Sequence, residues 1–248
     1  MQFHHHGYVS SDPRIEEASG TGINRPETLP DVVDVLIIGS GPAGVIAAAQ
    51  LAKFPNITTR IVERRPGRLE IGQADGIQAR SVETFQAFGF AERIIAEAFH
   101  LTEMAFWGPD SDNPSNIARS SVAPDDPGGK ISEFPHLIVN QARVLDYFAE
   151  CARNAPTRLT PDYGLEFQTL TVDEGAEYPV TVTLRHVGGD KDGQERTVKA
   201  KYVIGCDGAH SRVRKSIGRQ HIGAVSYHAW GVMDVLANTD FPAIRTKC

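Results

Sequence analysis

The chain has 248 residues, 41% of them hydrophobic, with a formal net charge of −6. That content suits one large domain or two small ones, and an acidic balance with no basic block argues against a nucleic-acid surface. No apolar run is long enough to span a bilayer, and Cys151, Cys206 and Cys248 are too few and too scattered for a disulfide framework or a zinc site, which fits a reducing, cytoplasmic setting.

The opening "MQFHHHGYVSSDPRIEEASG" has no hydrophobic core and is not a secretory signal. Residues 1–30 read as an irregular polar lead-in, with His4, His5 and His6 on its surface rather than in a metal site. Val33 to Ile38 is an apolar run rich in β-branched residues and interrupted only by Asp34, the pattern of a strand buried on both faces of a parallel sheet. Gly39, Gly41 and Gly44 follow in G-x-G-x-x-G spacing within "GSGPAG", then an Ala-rich helix is expected over 45–53 and a second strand, "TTRIVER", ending at Glu63. This is a βαβ unit with an expected right-handed crossover. Gly39 serves the tight turn, Gly41 the close approach of a pyrophosphate and Gly44 the packing of helix on strand. The phosphates then lie at a helix N-terminus, whose free N–H groups and dipole favour anions. Glu63, about 20 residues past the last glycine, can accept hydrogen bonds from a ribose. Strand, glycines, helix and acidic strand end together read as a dinucleotide site rather than a bare glycine turn.

Next come a helix over 80–88 with Val82, Phe85 and Phe88 on one face, a stop at Gly89, and a short helix over 91–98. "MAFWG" reads as a strand, and "DSDNPSN" and "APDDPGGK" as loops. "FPHLIV" is a strand leading into an amphipathic helix from Gln141. "FQTLTVDE", "PVTVTLRHV" and "ERTVKAKYV" alternate as antiparallel strands, with "GGDKDG" turning between the last two. In "YVIGCDGAHSRVRKSIG" another buried strand runs into Asp207-Gly208 and a basic helix, suggesting a second contact with the nucleotide. The Asp207 carboxylate would cap that helix as well. "AWGVMDVLA" opens a further strand, with Trp230 in the core, and "FPAIRTKC" breaks off within a strand region, the mark of an incomplete chain.

Asp75 sits between Ala74 and Gly76 just before a helix. Alone, it reads as a helix N-cap or as a proton acceptor.

"GSGPAG" with Glu63, "GQADGI" and "GCDGAHSRVR" together resemble the single-component FAD-dependent aromatic hydroxylases, in the phenol hydroxylase branch. "SEFPH", "NQAR" and "AWGVMDV" narrow the likeness to bacterial members acting on 3-hydroxybenzoate, and it runs from "MQFH" to the last residues. The resemblance implies an α/β fold with α+β elements: a Rossmann-like FAD-binding domain over 31–220 with an inserted antiparallel β meander, 101–134 contributing to the substrate region, and 221–248 as the start of a β-rich substrate domain. It also implies that most of the substrate domain, a later Gly-Asp flavin motif and a C-terminal thioredoxin-like domain are absent. Gly189-Asp190, in a polar hairpin turn, is not that motif.

In such enzymes NADPH reduces FAD, oxygen adds to give a flavin hydroperoxide, and an activated ring takes the distal oxygen. Here that implies hydroxylation of a phenolic acid, 3-hydroxybenzoate to 3,4-dihydroxybenzoate. The implied partners are the small aromatic substrate and O2, with neither nucleic acid nor membrane and with a homodimer when the protein is complete. Cofactor contacts fall on Gly39, Gly41, Pro42, Ala43, Gly44, Glu63, Arg64, Arg65, Gly72, Gln73, Ala74, Gly76, Arg80, Gln141, Asp207 and Gly208. Of these, Arg64, Arg65, Gln73, Arg80 and Gln141 equally fit surface polar positions. Asp75 becomes the acceptor of the phenolic proton, with capping secondary. His136 contacts substrate or is a structural hydrogen-bonder. Lys247 faces the substrate carboxylate rather than solvent. Beside this reading stand a non-catalytic FAD-binding fragment, a related phenol hydroxylase with a different phenol substrate, and a generic NAD-dependent Rossmann dehydrogenase, against which "GQADGI" and "GCDGAHSR" argue.

Overall fold

The computed structural model describes residues 25–125, 132–224, 226–229, 236 and 238–243. They fall into two compact units, one from the chain up to Ala74 together with Asn140–Gln220, the other from Asp75–Val139 together with the chain from His221 on.

The first unit begins with β1 (Val32–Ile38), α1 (Pro42–Leu51) and β2 (Thr59–Glu63). β2 is buried at all five positions and β1 at five of seven, as the β-branched runs require. The two strands pair in parallel, Val35 beside Thr59 and Ile38 beside Val62. The helix starts at Pro42, three residues earlier than its apolar run suggests. Proline's fixed φ and missing N–H suit the first helical position, so the helix begins inside the glycine motif.

The second unit holds β3 (Gly76–Ile77), α2 (Ala79–Ala87), α3 (Ala91–Glu97), β4 (Phe99–Leu101), β5 (Glu103–Pro109), β6 (Ile117–Pro124) and β7 (His136–Ile138). β7 lies between β3 and β4 in an antiparallel sheet, and β5 pairs with β6 as a hairpin. Val82 and Phe85 bury the apolar face of α2, whereas Phe88 is its C-cap and only partly buried. Gly89 ends the helix at φ +84°, and Phe85 stacks on Phe90 with ring centroids 5.1 Å apart.

The chain returns to the first unit with α4 (Gln141–Asn154), β8 (Asp162–Tyr163), β9 (Leu165–Val172), β10 (Val180–His186), β11 (Glu195–Gly205) and α5 (Arg212–Ser216). The Asn140 side chain caps α4 by accepting from the Ala142 N–H, and α4 packs on α1. One mixed sheet results, in the order β8-β2-β1-β11-β10-β9. Leu36, Ile38, Val62, Phe167, Val182, Leu184 and Val198 share an apolar cluster on it.

The two segments expected as separate strands, "ERTVKAKYV" and "YVIG", are the single strand β11. Its first half pairs antiparallel with β10 and its second half parallel with β1. The second half is not buried as expected: Tyr202 is 68% exposed, and Val203 and Ile204 are only partly covered. Most of "AWGVMDVLA", including Trp230, lies outside the described residues, as does everything after Ala243. Among the described residues no helix is long and apolar enough to cross a membrane.

Candidate functional site

The three glycines of the first turn answer different demands. Gly39 adopts φ +99°, and a Cβ there would stand 2.4 Å from the Cys206 carbonyl oxygen, so the fold itself requires glycine. A Cβ on Gly44 would lie 1.9 Å from the Gly39 carbonyl oxygen, which fixes the close approach of α1 to the end of β1. Gly41 differs. Its φ of −72° and ψ of −176° suit any residue, and no atom lies within 4 Å of the place its Cβ would take. The protein's own packing gives no reason for glycine at 41, which leaves the approach of an outside group to the backbone. Gly41 is also the N-cap of α1, with no side-chain cap and no acidic residue in the first turn. The N–H groups of Ala43 and Gly44, with the positive end of the helix, therefore meet whatever approaches.

Glu63 ends β2 beside that turn and is only 7% exposed. Its Oε2 accepts from the Ser40 N–H and hydroxyl, both at 2.9 Å, and from the Arg65 guanidinium at 3.1 Å. Oε1 accepts from the Arg65 N–H at 3.0 Å. Burial pushes the carboxyl pKa up, but the N–H donors of Arg65 and Ser40 and the Arg65 charge outweigh it and hold the group below its usual value. Glu63 is thus a pre-ionised acceptor. Arg65 is a half-buried member of this cluster, whereas Arg64 is exposed.

Gly72, Gln73 and Ala74 belong to the same unit. A Cβ on Gly72 would stand 2.4 Å from the Gln141 Cβ, and the Gln73 N–H donates to Gln141 Oε1 at 2.7 Å. The "GQA" segment is thereby stitched to the first residue of α4. At the end of β11, Asp207 Oδ2 accepts from the Arg212 and Val213 N–H groups, and its Oδ1 takes the Ser211 hydroxyl. This capping agrees with the sequence reading, although Ser211 is the formal N-cap of α5. Gly208 has φ +83° and open space around it. Cys206 sits between these elements, with its thiol pKa pushed up by burial.

The other unit holds Asp75, Gly76, Arg80 and His136. Asp75 is exposed and does not cap α2: the N-cap is Gln78, three residues on, in extended conformation. The secondary capping role expected of Asp75 is therefore corrected. The backbone of Asp75 is tied down, its carbonyl accepting from the Val139 N–H at 2.9 Å. Arg80 is exposed on the first turn of α2. His136 is buried on β7, and its Nδ1 lies 2.8 Å from Asp125 Oδ2. Lys247 lies outside the described residues.

The structure thus gathers Gly39 to Gly44, Glu63, Arg65, Gly72 to Ala74, Gln141, Asp207 and Gly208 into one unit, and Asp75, Gly76, Arg80 and His136 into the other. Two supporting residues escaped the sequence reading. Ser40, which fills an x of the glycine motif, anchors Glu63. Asp125, just past β6 in a stretch read as loop, anchors His136. A small hydroxyl residue beside an acidic strand end is a weak signal for the first; no spacing rule pairs the second.

Over residues 32–247 the chain matches the family described as "FAD binding domain". It is 51% identical to a 3-hydroxybenzoate 4-monooxygenase of Comamonas testosteroni over 248 residues, 100% of this chain but 39% of that protein. It is 44% identical to the FAD-dependent monooxygenase terD of Aspergillus terreus (strain NIH 2624 / FGSC A1156), over 87% of this chain and 35% of that one. Among solved structures, the flavin-dependent monooxygenase PieE, in complex with FAD and substrate, aligns with a TM-score of 0.63 at 27% identity, covering 77% of this chain and 33% of that one. The chain therefore spans well under half the length of the curated relatives it matches. The matched family sets aside the NAD-dependent dehydrogenase reading. The chain belongs to the FAD-binding domain family and is a relative of the flavin-dependent aromatic monooxygenases.

Proposed function

We propose that this chain is the flavin-binding part of a FAD- and NAD(P)H-dependent monooxygenase that hydroxylates a phenolic aromatic acid, 3-hydroxybenzoate to 3,4-dihydroxybenzoate. The observation that carries the substrate is the 51% identity to the Comamonas enzyme along the whole chain. Support for the cofactor is structural. Glycine at 41 has no role in the packing, it opens an uncapped helix N-terminus, and the carboxylate of Glu63 is held ionised beside it.

Pyrophosphate belongs over Gly41, Pro42, Ala43 and Gly44, where N–H groups and dipole favour it. The adenosine ribose belongs at Glu63, with Arg64 and Arg65 beside the phosphates. Gly72, Gln73, Ala74, Gly76, Arg80, Gln141, Asp207 and Gly208 supply further flavin contacts. Bound FAD supplies electron transfer from NADPH and the activation of oxygen. The protein's part is to orient the ring and manage protons. Asp75 accepts the phenolic hydrogen bond, His136 contacts the ring substituents, and Lys247 meets the carboxylate.

Two results test this reading. Gly41→Val is expected to fold normally yet hold FAD at least tenfold more weakly, roughly 1.4 kcal/mol, in a fluorescence titration; wild-type affinity would remove the assignment. In steady-state turnover the full-length enzyme is expected to prefer 3-hydroxybenzoate to phenol, and Lys247→Met to lose most of that preference. A clear preference for plain phenol would return Lys247 to the surface and overturn the substrate.

A further inference from the structure

We propose that Asp125 is a positioning residue that holds His136 in the Nδ1–H tautomer, so that Nε2 accepts a hydrogen bond from the hydroxyl that the reaction introduces on the ring. This deepens the reading above and rests on it. The observations are local to one unit. His136 Nδ1 and Asp125 Oδ2 are 2.8 Å apart, and the side chains are 7% and 11% exposed. An ionised carboxylate can only accept, so the hydrogen between them sits on Nδ1. In a neutral imidazole Nε2 then carries the lone pair.

Both partners are held by backbone. The Asp125 N–H donates to the Thr102 carbonyl at 3.0 Å, which fixes the end of β6. His136 lies on the central strand of its sheet, opposite Leu101 of β4. Among the described residues other than its chain neighbours, Nε2 is the one atom within 4 Å of the place a Cβ would take on Gly76, at 3.8 Å. No backbone strain calls for glycine there, since its φ is not in the left-handed region. Glycine at 76 therefore places no side chain against that edge of the buried ring, one residue from Asp75.

Two acceptors thus flank Gly76, while a monophenol carries a single O–H. If Asp75 takes the hydroxyl already present, the described residues offer Nε2 no donor until a second hydroxyl appears beside the first. A vicinal dihydroxy acid serves both. The lone pair also disfavours a carboxylate at this place.

The test uses flavin-loaded full-length protein labelled with 15N-histidine, its His136 resonances identified by their loss in His136→Gln. A long-range 1H–15N correlation should show hydrogen on Nδ1 and the lone pair on Nε2. Adding 3,4-dihydroxybenzoate should move the Nε2 resonance more than 3-hydroxybenzoate does. Asp125→Leu should shift hydrogen to Nε2. It should also lower the affinity ratio of dihydroxy to monohydroxy acid, read from flavin absorbance, by about tenfold (the factor of one hydrogen bond worth about 1.4 kcal/mol). Asp125→Asn, which keeps a neutral acceptor, should restore part of it. Gly76→Ala should keep the tautomer and lower the same ratio, which guards against a misfolded Asp125→Leu protein. Hydrogen on Nε2 in the wild type, or an unchanged ratio in both Asp125→Leu and Gly76→Ala, overturns the proposal. Failure of any phenolic acid to bind, with the Nδ1–H tautomer present, overturns the substrate reading instead and takes the ligand half of the proposal with it.

Discussion

An Asp75→Asn variant of the flavin-loaded full-length enzyme is expected to hydroxylate about 10²–10⁴ times more slowly, the usual cost of losing a positioned proton acceptor, while binding FAD and accepting electrons from NADPH almost normally. Asp75 lies three residues ahead of the N-cap of α2, so asparagine there removes no cap. It removes a charge. Carboxylates are in general far weaker bases than phenolate, so the proposed role is not to strip the phenol of its proton in the resting complex. On the proposed reading Asp75 accepts a hydrogen bond that strengthens as negative charge moves into the ring during oxygen transfer, which is stabilisation confined to the transition state. Asparagine offers only a neutral acceptor at the same place. NADPH should then be consumed with hydrogen peroxide, rather than hydroxylated product, accumulating. Stopped-flow flavin absorbance separates reduction from reoxidation, and product analysis gives the coupling. Hydroxylation at the wild-type rate would strike Asp75 from the mechanism.

What the sequence made visible here was local. The run Val33 to Ile38, the glycine spacing and Glu63 lie within one βαβ unit, and each is a rule about neighbours, so the strand–turn–helix–strand core of this unit could be read before any coordinates. The strands that escaped lack such rules. β3 and β8 have two residues each and β4 three, too few for a period, while β6 is mostly exposed and shows no buried alternation. β11 looked like two strands because its two halves face different partners, one antiparallel and one parallel. Helix starts misled twice. Pro42 begins α1 ahead of its apolar run, and Gln78, an unusual N-cap, displaces Asp75 from the role its chemistry suggested. The supporting pairs were out of reach altogether, because Asp125 and His136, or Arg60 and Asp162, meet only through tertiary structure.

That last pair carries the largest stability effect expected in the molecule. Asp162→Ala should destabilise its unit by about 3–5 kcal/mol, the range for stranding one member of a buried ion pair, and lower the melting temperature by roughly 6–20 °C for a chain of this size. Arg60 stands in the middle of β2, a strand with no exposed residue, and is itself 2% exposed. Its Nε donates to Asp162 Oδ2 at 2.8 Å and its Nη2 to Oδ1, a bidentate pairing from neighbouring parallel strands. Nη1 donates to the carbonyls of Pro26 and Thr28, which binds the segment ahead of β1 to the sheet edge. Arg25 adds a second guanidinium to the same carboxylate at 3.4 Å and to the Thr160 carbonyl at 2.7 Å. Its own pKa is lowered by burial and by the Arg60 charge, against the pull of Asp162. Alanine at 162 would leave two partly desolvated cations facing each other with no anion between them. Replacing the pair together, as Arg60→Met with Asp162→Leu, should recover most of the loss, since a well-packed apolar pair often matches a buried ion pair. Thermal melts of flavin-free protein read both variants. A melting point within 2 °C of wild type (less than about 1 kcal/mol) for Asp162→Ala would show that water reaches Arg60 and that the carboxylate is dispensable.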